Sequence, residues 1–263
     1  MTGGGSGFDA AAPAFDRYRK LPDGVPEAIR AAVWAVAGAR SGARVLDLGA
    51  GTGRIGKAFA AAGDRYVGID LSWGMLREFA GSAACRPALA QADGAQLPFP
   101  DAAFDVVLLI QVLTGARGWR QIVAEARRVT RAGGLMAIGH TVGPADGIDA
   151  RLKGRLSAIL ADLGASSHGA RKNREEALAS LAASAARSTH LVAASWVAER
   201  TPRGFLERHR SGARFAALPP ALQDAALKEL AAWAEAEFGS LDSGLNERYN
   251  FELDLFEMPP EVK

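Results

Sequence analysis

Cysteine is nearly absent: Cys85 is the single one in 263 residues. It can close no disulfide within the chain and build no cysteine zinc cluster, so no metal is expected, and such a composition suits the interior of a reducing cell. Long apolar runs are absent too. None reaches the roughly 18 residues that cross a bilayer, and residues 1–7 offer neither a basic start nor an apolar core, so no membrane partner and a cytoplasmic location are expected. Charge of one sign is also missing. Against 31 Lys and Arg stand 29 Asp and Glu, a net of +2, which argues against a phosphate-tracking surface and against a nucleic-acid partner. What the chain has in quantity is apolar residue, 49% of the whole, enough for one large α/β core carrying insertions.

The most informative stretch is Val45–Arg54, VLDLGAGTGR: an apolar strand bearing the carboxylate of Asp47 and then alternating glycines that open a helix. Glycines there let the backbone turn tightly and approach a ligand closely. Two readings compete. Gly51, Gly53 and Gly56 fit the dinucleotide pattern G-x-G-x-x-G, with Asp70 about 20 residues on where a ribose-binding acid belongs, as in an NAD-dependent oxidoreductase. A carboxylate just before the first glycine would instead repel a pyrophosphate and favour a cation, such as the sulfonium and ammonium of S-adenosylmethionine. Asp70 then closes the second strand, Arg65–Asp70, as acceptor for both ribose hydroxyls. Leu71, Trp73, Met75 and Leu76 follow, the apolar residues of a helix start placed to lie against an adenine ring. The third strand, Pro87–Ala92, ends in Asp93-Gly94-Ala95, an acid and a backbone amide for the adenine edge. Val106–Ile110 is the most apolar run of the chain and reads as a buried fourth strand.

Four blocks carry a resemblance: VLDLGAGTG at 45–53, VGIDLSWGML at 67–76, QADGAQLPFPDAAFDVVLL at 91–109 and EARRVTRAGGLMAIG at 125–139. In order and spacing they resemble class I S-adenosylmethionine-dependent methyltransferases, in particular small-molecule enzymes of the ubiquinone and menaquinone type. Two departures stand out. Thr130 and Ala132 replace the usual Leu and Pro before Gly133-Gly134, and Gln111–Trp119 replaces the His or Trp pair common after the fourth strand. The resemblance implies a Rossmann-like, doubly wound α/β fold: a mostly parallel seven-stranded sheet with an antiparallel last strand and helical lid insertions. It further implies methyl transfer from S-adenosyl-L-methionine, with S-adenosyl-L-homocysteine as product, to a small-molecule acceptor. The cofactor residues it points to are Tyr18, Arg19, Asp47, Gly49, Ala50, Gly51, Gly53, Asp70, Leu71, Met75, Asp93, Gly94, Ala95, Ile110 and Gln111. A protein that binds the cofactor without transferring a methyl group is the remaining alternative.

His140 is the candidate base, because it lies at the carboxyl edge of the fifth strand and histidine titrates in the useful range. His168, His190 and His209 read as surface or lid residues. Arg117 and Trp119 are placed to shape a substrate mouth. Arg203, Arg208, His209, Arg210 and Arg214 give the later insertion a basic face that would suit an anionic acceptor.

Periodicity places an N-terminal arm at 1–24 and a cofactor core at 25–142. A helical lid at 143–173, a continuation of the core at 174–200, a second lid at 201–240 and the last strand with its tail at 241–263 complete the order. Helices are expected at 25–40, 119–130 (ended by the turn Ala132-Gly133-Gly134), 148–163, 175–187, 201 to about 215, and 221–238, with residues 164–173 a polar connection. Strands are expected at 188–199 and 248–258. The alanine-rich helix at 221–238 suits either a lid or a homodimer contact.

Overall fold

A computed structural model describes residues 12, 19–38, 42–113, 118–165, 170–210, 215 and 218–261, with residues 170 and 171 described by backbone alone. In chain order the elements are α1 (Val25–Ala37), β1 (Arg44–Leu48), α2 (Gly56–Ala61), β2 (Arg65–Asp70), α3 (Trp73–Ser82), β3 (Ala88–Gln91), β4 (Phe104–Ile110), α4 (Trp119–Val129) and β5 (Thr130–Val142). They continue with α5 (Ile148–Asp162), α6 (Ala170–Ala182), β6 (Arg187–Arg200), α7 (Pro202–Arg210), α8 (Pro220–Phe238) and β7 (Leu245–Glu257).

The seven strands form one sheet in the order β3-β2-β1-β4-β5-β7-β6. Strands β1 to β5 pair in parallel, and β7 runs antiparallel to both β5 and β6, so the expected doubly wound sheet with its reversed last strand is what forms. β4 explains why. Val106, Leu108 and Ile110 face a core completed by Ile29 and Val33 of α1, Phe59 of α2 and Phe79 of α3, while Val107 and Leu109 face one completed by Val123 and Ala126 of α4 and Ala177 and Leu181 of α6. A strand buried on both faces reads as an unbroken apolar run, which is the signature of a parallel sheet between two helical layers.

The two insertions meet. Ile148, Leu152, Leu156 and Ile159 of α5 pack with Phe205 of α7 and Ala226, Leu227, Leu230 and Ala234 of α8 in a third core. The apolar stripe of α8 is therefore buried against α5 and α7 within the chain. β7 anchors this layer: the buried carboxylate of Glu247 accepts the amide of Ile148 at 2.6 Å and the hydroxyl of Tyr249 at 2.9 Å. An acid on the first amide of α5 answers its N-terminal dipole and contributes about 1–2 kcal/mol in so buried a setting.

Boundaries move from expectation at several places, each for a local reason. α1 stops at Ala37 rather than 40, because Gly38 takes φ +70° and returns its N–H to Trp34 O. α4 ends at Val129, and Thr130 already pairs with Phe104; the glycines at 133 and 134 lie in a bulged β5 rather than ending the helix. α6 begins at Ala170 and ends at Ala182, since residues 170–173 of the run read as a connection are helical and the amide of Ala186 goes to Glu257 O instead. β7 starts at Leu245 because β6 extends to Arg200 and pairs with it. Thr201 Oγ1 accepts from Gly204 N at 3.1 Å, the expected cap of α7. The expected run of that helix to about 215 enters residues outside the described set.

Candidate active site

The strand order reverses between β1 and β4, and ligands of open α/β sheets bind in the crevice beyond the carboxyl ends at such a point. Two loops border it here: Gly49–Gly53 after β1 and Gln111–Leu113 after β4. Three glycines in the first loop hold positive φ for different reasons. A Cβ on Gly49 would meet Val112 Cγ2 at 2.5 Å and one on Gly53 would meet the Phe79 ring at 2.3 Å, whereas one on Gly51 would find nothing nearer than Gly49 O at 3.9 Å. Gly49 and Gly53 are thus required by packing, and Gly51 faces open space.

The amides of this loop are already used. Those of Gly49 and Ala50 both donate to Ile69 O at 2.9 Å, that of Gly53 to Ala50 O at 3.0 Å, and that of Gly51 to Asp70 Oδ2 at 2.9 Å. α2 is only six residues long, and its Lys57 and Ala58 amides donate to Gly53 O and Ile55 O. A pyrophosphate placed on this loop would meet a carboxylate and spent donors. That excludes the electrostatics of a phosphate cradle more directly than the sign of Asp47 does.

Asp47 itself is corrected by the structure: it does not rim the crevice. It is 3% exposed, beneath the loop, and accepts Tyr66 Oη at 2.7 Å. Sequence reading missed Tyr66. The signal was present in Gly56 and Gly68, since a Cβ on either would strike the Tyr66 hydroxyl, at 2.1 and 2.9 Å. Burial pushes the Asp47 carboxyl up to about 7; the Tyr66 bond pulls it down and the charge of Asp70 pushes it further up. A folded chain that keeps a proton the unfolded chain has released loses stability as pH rises from about 4 to about 7. Asp47→Asn keeps an acceptor for Tyr66 and cannot ionise. Relative to the wild type it is expected to gain stability across that interval, reaching on the order of 2–4 kcal/mol by pH 8. Urea melts at pH 5 and pH 8 measure this, and an equal difference at both would mean that the carboxyl titrates normally.

Asp70 closes β2 at the crevice. Its Oδ1 accepts Ser72 N at 2.8 Å, and Ser72 Oγ caps α3 by accepting Met75 N at 3.2 Å. Leu71 stands 58% exposed beside it, while Met75 and Leu76 are buried in the core. Of the apolar residues expected against an adenine ring, Leu71 and Trp73, the latter 51% exposed, are therefore the ones placed to serve. Asp93 is exposed and spends Oδ1 on the amide of Ala95 at 2.8 Å, so that amide is not left for a ligand edge; Gly94 lies close to β1, where a Cβ would meet Leu48 at 3.0 Å.

After β4, Ile110 is buried and Gln111 takes φ +59°, a left-handed conformation that a non-glycine residue holds at a cost of about 1 kcal/mol or more. Its amide side chain bridges two elements: Oε1 accepts Arg54 Nη1 at 3.1 Å and Nε2 donates to Thr141 Oγ1 at 3.2 Å. Arg54 and Thr141 belong to this edge and were not anticipated. Neither pairing could be read from spacing, because it joins three separate loops.

With this geometry in view, residues 46–138 match the methyltransferase domain family. The stretch from β1 to β5 is thus similar to methyltransferase domains. The open face of Gly51, the carboxylate of Asp70 and the bare side chain of Leu71 fit the S-adenosylmethionine that the sequence resemblance implies. The chain is 38% identical over 136 residues to a demethylmenaquinone methyltransferase of Thermobifida fusca, covering 50% of this chain and 58% of that one. With one of Parafrankia sp. the identity is 35% over 158 residues, 49% of this chain and 62% of the relative. The chain thus spans about three fifths of the length of these curated relatives. Among solved structures, the YcgJ protein of Bacillus superposes with a TM-score of 0.55 at 16% identity, covering 89% of this chain and 99% of that one. The Haemonchus contortus methyltransferase solved with phosphomonomethylethanolamine and S-adenosylhomocysteine gives 0.52 at 18%, covering 96% and 58%. Both share the fold.

The remaining candidates around the methyltransferase crevice sort by position. His140 pairs in register with Glu252, and successive residues of a strand face opposite sides, so its ring lies on the α6 side while Thr141 faces Gln111. Burial and the Arg174 guanidinium lower its pKa, with Glu252 and Asp254 opposing, and its Nδ1 finds no hydrogen-bond partner among the described residues. His190 Nδ1 donates to Asp254 Oδ1 at 2.8 Å, and the ring is half exposed. The basic face expected on the second insertion is largely paired: Arg203 with Asp242 at 2.6 Å, and Arg208 with Asp149. His209 is half-buried and stacked on the Phe205 ring, and desolvation holds it down to about 4, so it is neutral. Arg210 is exposed. Arg19 meets α7, its Nη2 donating to Arg208 O at 3.4 Å. Trp119 is buried in the core at the start of α4 rather than at a mouth. Tyr18, Arg117, His168 and Arg214 lie outside the described residues.

Proposed function

We propose that the whole chain transfers a methyl group from S-adenosylmethionine to a small organic acceptor held between the Gly49–Gly53 loop and the layer of α5, α7 and α8, which acts as the lid. The observation that carries this reading is the open face of Gly51, bordered by Asp70 and Leu71 at the strand-order reversal. In it Asp70 takes the ribose hydroxyls, Leu71 lies on the adenine, Asp93 and Gly94 border its edge, and Arg54 with Gln111 meets the amino-acid end. Arg19, placed beside Arg208, favours an acceptor with anionic character. Among the described residues no helix is long and apolar enough to cross a membrane, and with one cysteine in the chain we place the protein in the cytoplasm.

The donor supplies an electrophilic methyl on a positive sulfur. The chain's residues supply orientation and a dry site. Holding the acceptor atom about 3–3.5 Å from the methyl carbon replaces an encounter with a reaction inside one complex. Where the acceptor is a hydroxyl or an activated carbon, a proton has to leave, and His140 is the group proposed to take it. Its lowered pKa keeps the ring neutral and able to accept at pH 7, and Glu252 and Asp254 stabilise the imidazolium that results. His140→Ala is then expected to lower kcat by about 100-fold or more with S-adenosylhomocysteine affinity unchanged. An unchanged kcat assigns proton removal to another group.

The relatives' names make demethylmenaquinone the first acceptor to test. Incubation of the chain with methyl-labelled S-adenosylmethionine and reduced demethylmenaquinone is expected to label the quinone and release S-adenosylhomocysteine. Calorimetric binding of NAD but not S-adenosylmethionine would overturn the reading. Tight cofactor binding without turnover on any acceptor would leave a binding protein in its place.

A further inference from the structure

The crevice described above uses the carboxyl edge of the sheet. At the opposite edge, where β1, β2 and β3 begin, a second crevice of about 380 Å³ opens that no part of the methyl-transfer reading employs. Arg44 and Arg65 are register partners on adjacent strands, and Arg86 enters from the turn before β3, so three guanidinium groups line one small space. Asp64 lines the crevice as well, and its carboxylate and that of Asp105 beside it are held mainly by other groups. Asp64 accepts Arg30 Nε and Nη2 at 2.6 and 2.8 Å and Trp34 Nε1 at 3.2 Å, and Asp105 takes the Arg131 guanidinium and the Arg44 amide. Among the described residues, no carboxylate forms an ion pair with the side chains of Arg44, Arg65 or Arg86. The walls between them are apolar, with Pro87 beside Cys85.

We infer that this amino-edge crevice binds a phosphoryl group, free or carried by a small organic molecule. Like charges gathered about one crevice, where only Arg44 feels a nearby carboxylate, that of Asp105, raise the energy of the unliganded chain, and a multiply charged oxyanion relieves it. Guanidinium forks match the oxygens of a phosphoryl group in paired hydrogen bonds, and three of them suit a dianion better than a single carboxylate. The volume lies at the lower end of the range for small-molecule sites, about 300–1,000 Å³. The mixture of apolar wall and convergent cations fits a compact organophosphate rather than a polymer.

Cys85, the chain's single thiol, lines the same crevice and reports on it directly. Alkylation by N-ethylmaleimide, followed by mass spectrometry, is expected to slow about fivefold in phenyl phosphate at several times its Kd, and not in potassium chloride of equal ionic strength. Equal protection by inorganic phosphate assigns the site to the free anion, and protection by phenyl phosphate alone assigns it to an organic ester. Arg65→Ala/Arg86→Ala, both at exposed positions, is expected to abolish protection while leaving melting temperature and S-adenosylhomocysteine affinity as in the wild type. Alkylation rates that neither phosphate compound changes would overturn the inference, as would protection that survives in the double variant.

Discussion

Asp70→Ala is expected to weaken S-adenosylhomocysteine about 100-fold or more, roughly 3 kcal/mol, while the chain still folds. The carboxylate does two things at once. It holds the amides of Gly51 and Ser72, fixing the glycine loop against the start of α3, and it presents the charged acceptor proposed for the ribose. Each hydrogen bond to a charged partner contributes about 1.5–3 kcal/mol, so losing the ligand's bonds together with the loop's anchor exceeds what one contact would give. Stability falls too, by about 1–3 kcal/mol, because Ser72 is fully buried and its freed amide is left without an acceptor, while Gly51 is half-buried at the open face. Asp70→Asn separates the two contributions: it keeps an acceptor oxygen without the charge and is expected to fall between, about 10-fold weaker than wild type. Titration calorimetry alongside a thermal melt reads both quantities. Full affinity in the alanine variant would remove Asp70 from the site.

The same pair of acids shows where sequence reading reaches its limit. Both were legible as residues, because a strand-ending acid before a glycine loop and another about 20 positions on are local patterns. Their roles were not equally legible. Asp70 ends its strand, so its side chain emerges at the crevice whatever the packing around it. Asp47 sits one residue inside its strand, and its direction depends on what β2 places opposite; there Gly68 leaves room and Tyr66 supplies a hydroxyl, and the carboxylate turns inward. The sheet order was legible for the reason β4 was, since alternation of apolar strands with helices admits few connections. The limits of α6 and β7 were not, because both are set by partners distant in sequence: Glu257 ends one and Arg200 begins the other. The basic face of the second insertion failed in the same way. A row of Arg and His in sequence becomes ion pairs with Asp149 and Asp242 and a stacked neutral imidazole once those partners arrive.

Gly51→Val and Gly53→Ala, two positions apart, are expected to fail in different ways, and the contrast tests the site more sharply than either alone. Gly53 holds φ +80° against a fully buried Phe79, and three ring atoms would lie 2.3–2.6 Å from a new Cβ. The ring cannot move without opening the core, so Gly53→Ala is expected to cost about 2–4 kcal/mol of stability from overpacking and left-handed strain together. At Gly51 φ is +55° and the nearest heavy atom is a carbonyl oxygen 3.9 Å away. Valine there pays backbone strain of about 1–2 kcal/mol and meets no protein atom that must yield. Its branched side chain instead fills the space proposed for the cofactor, so S-adenosylhomocysteine binding should fall below detection in a protein that melts only a few degrees early. If Gly51→Val binds as the wild type does, the ligand lies elsewhere. If it unfolds as readily as Gly53→Ala, the emptiness beside Gly51 is not real and the glycine serves packing alone.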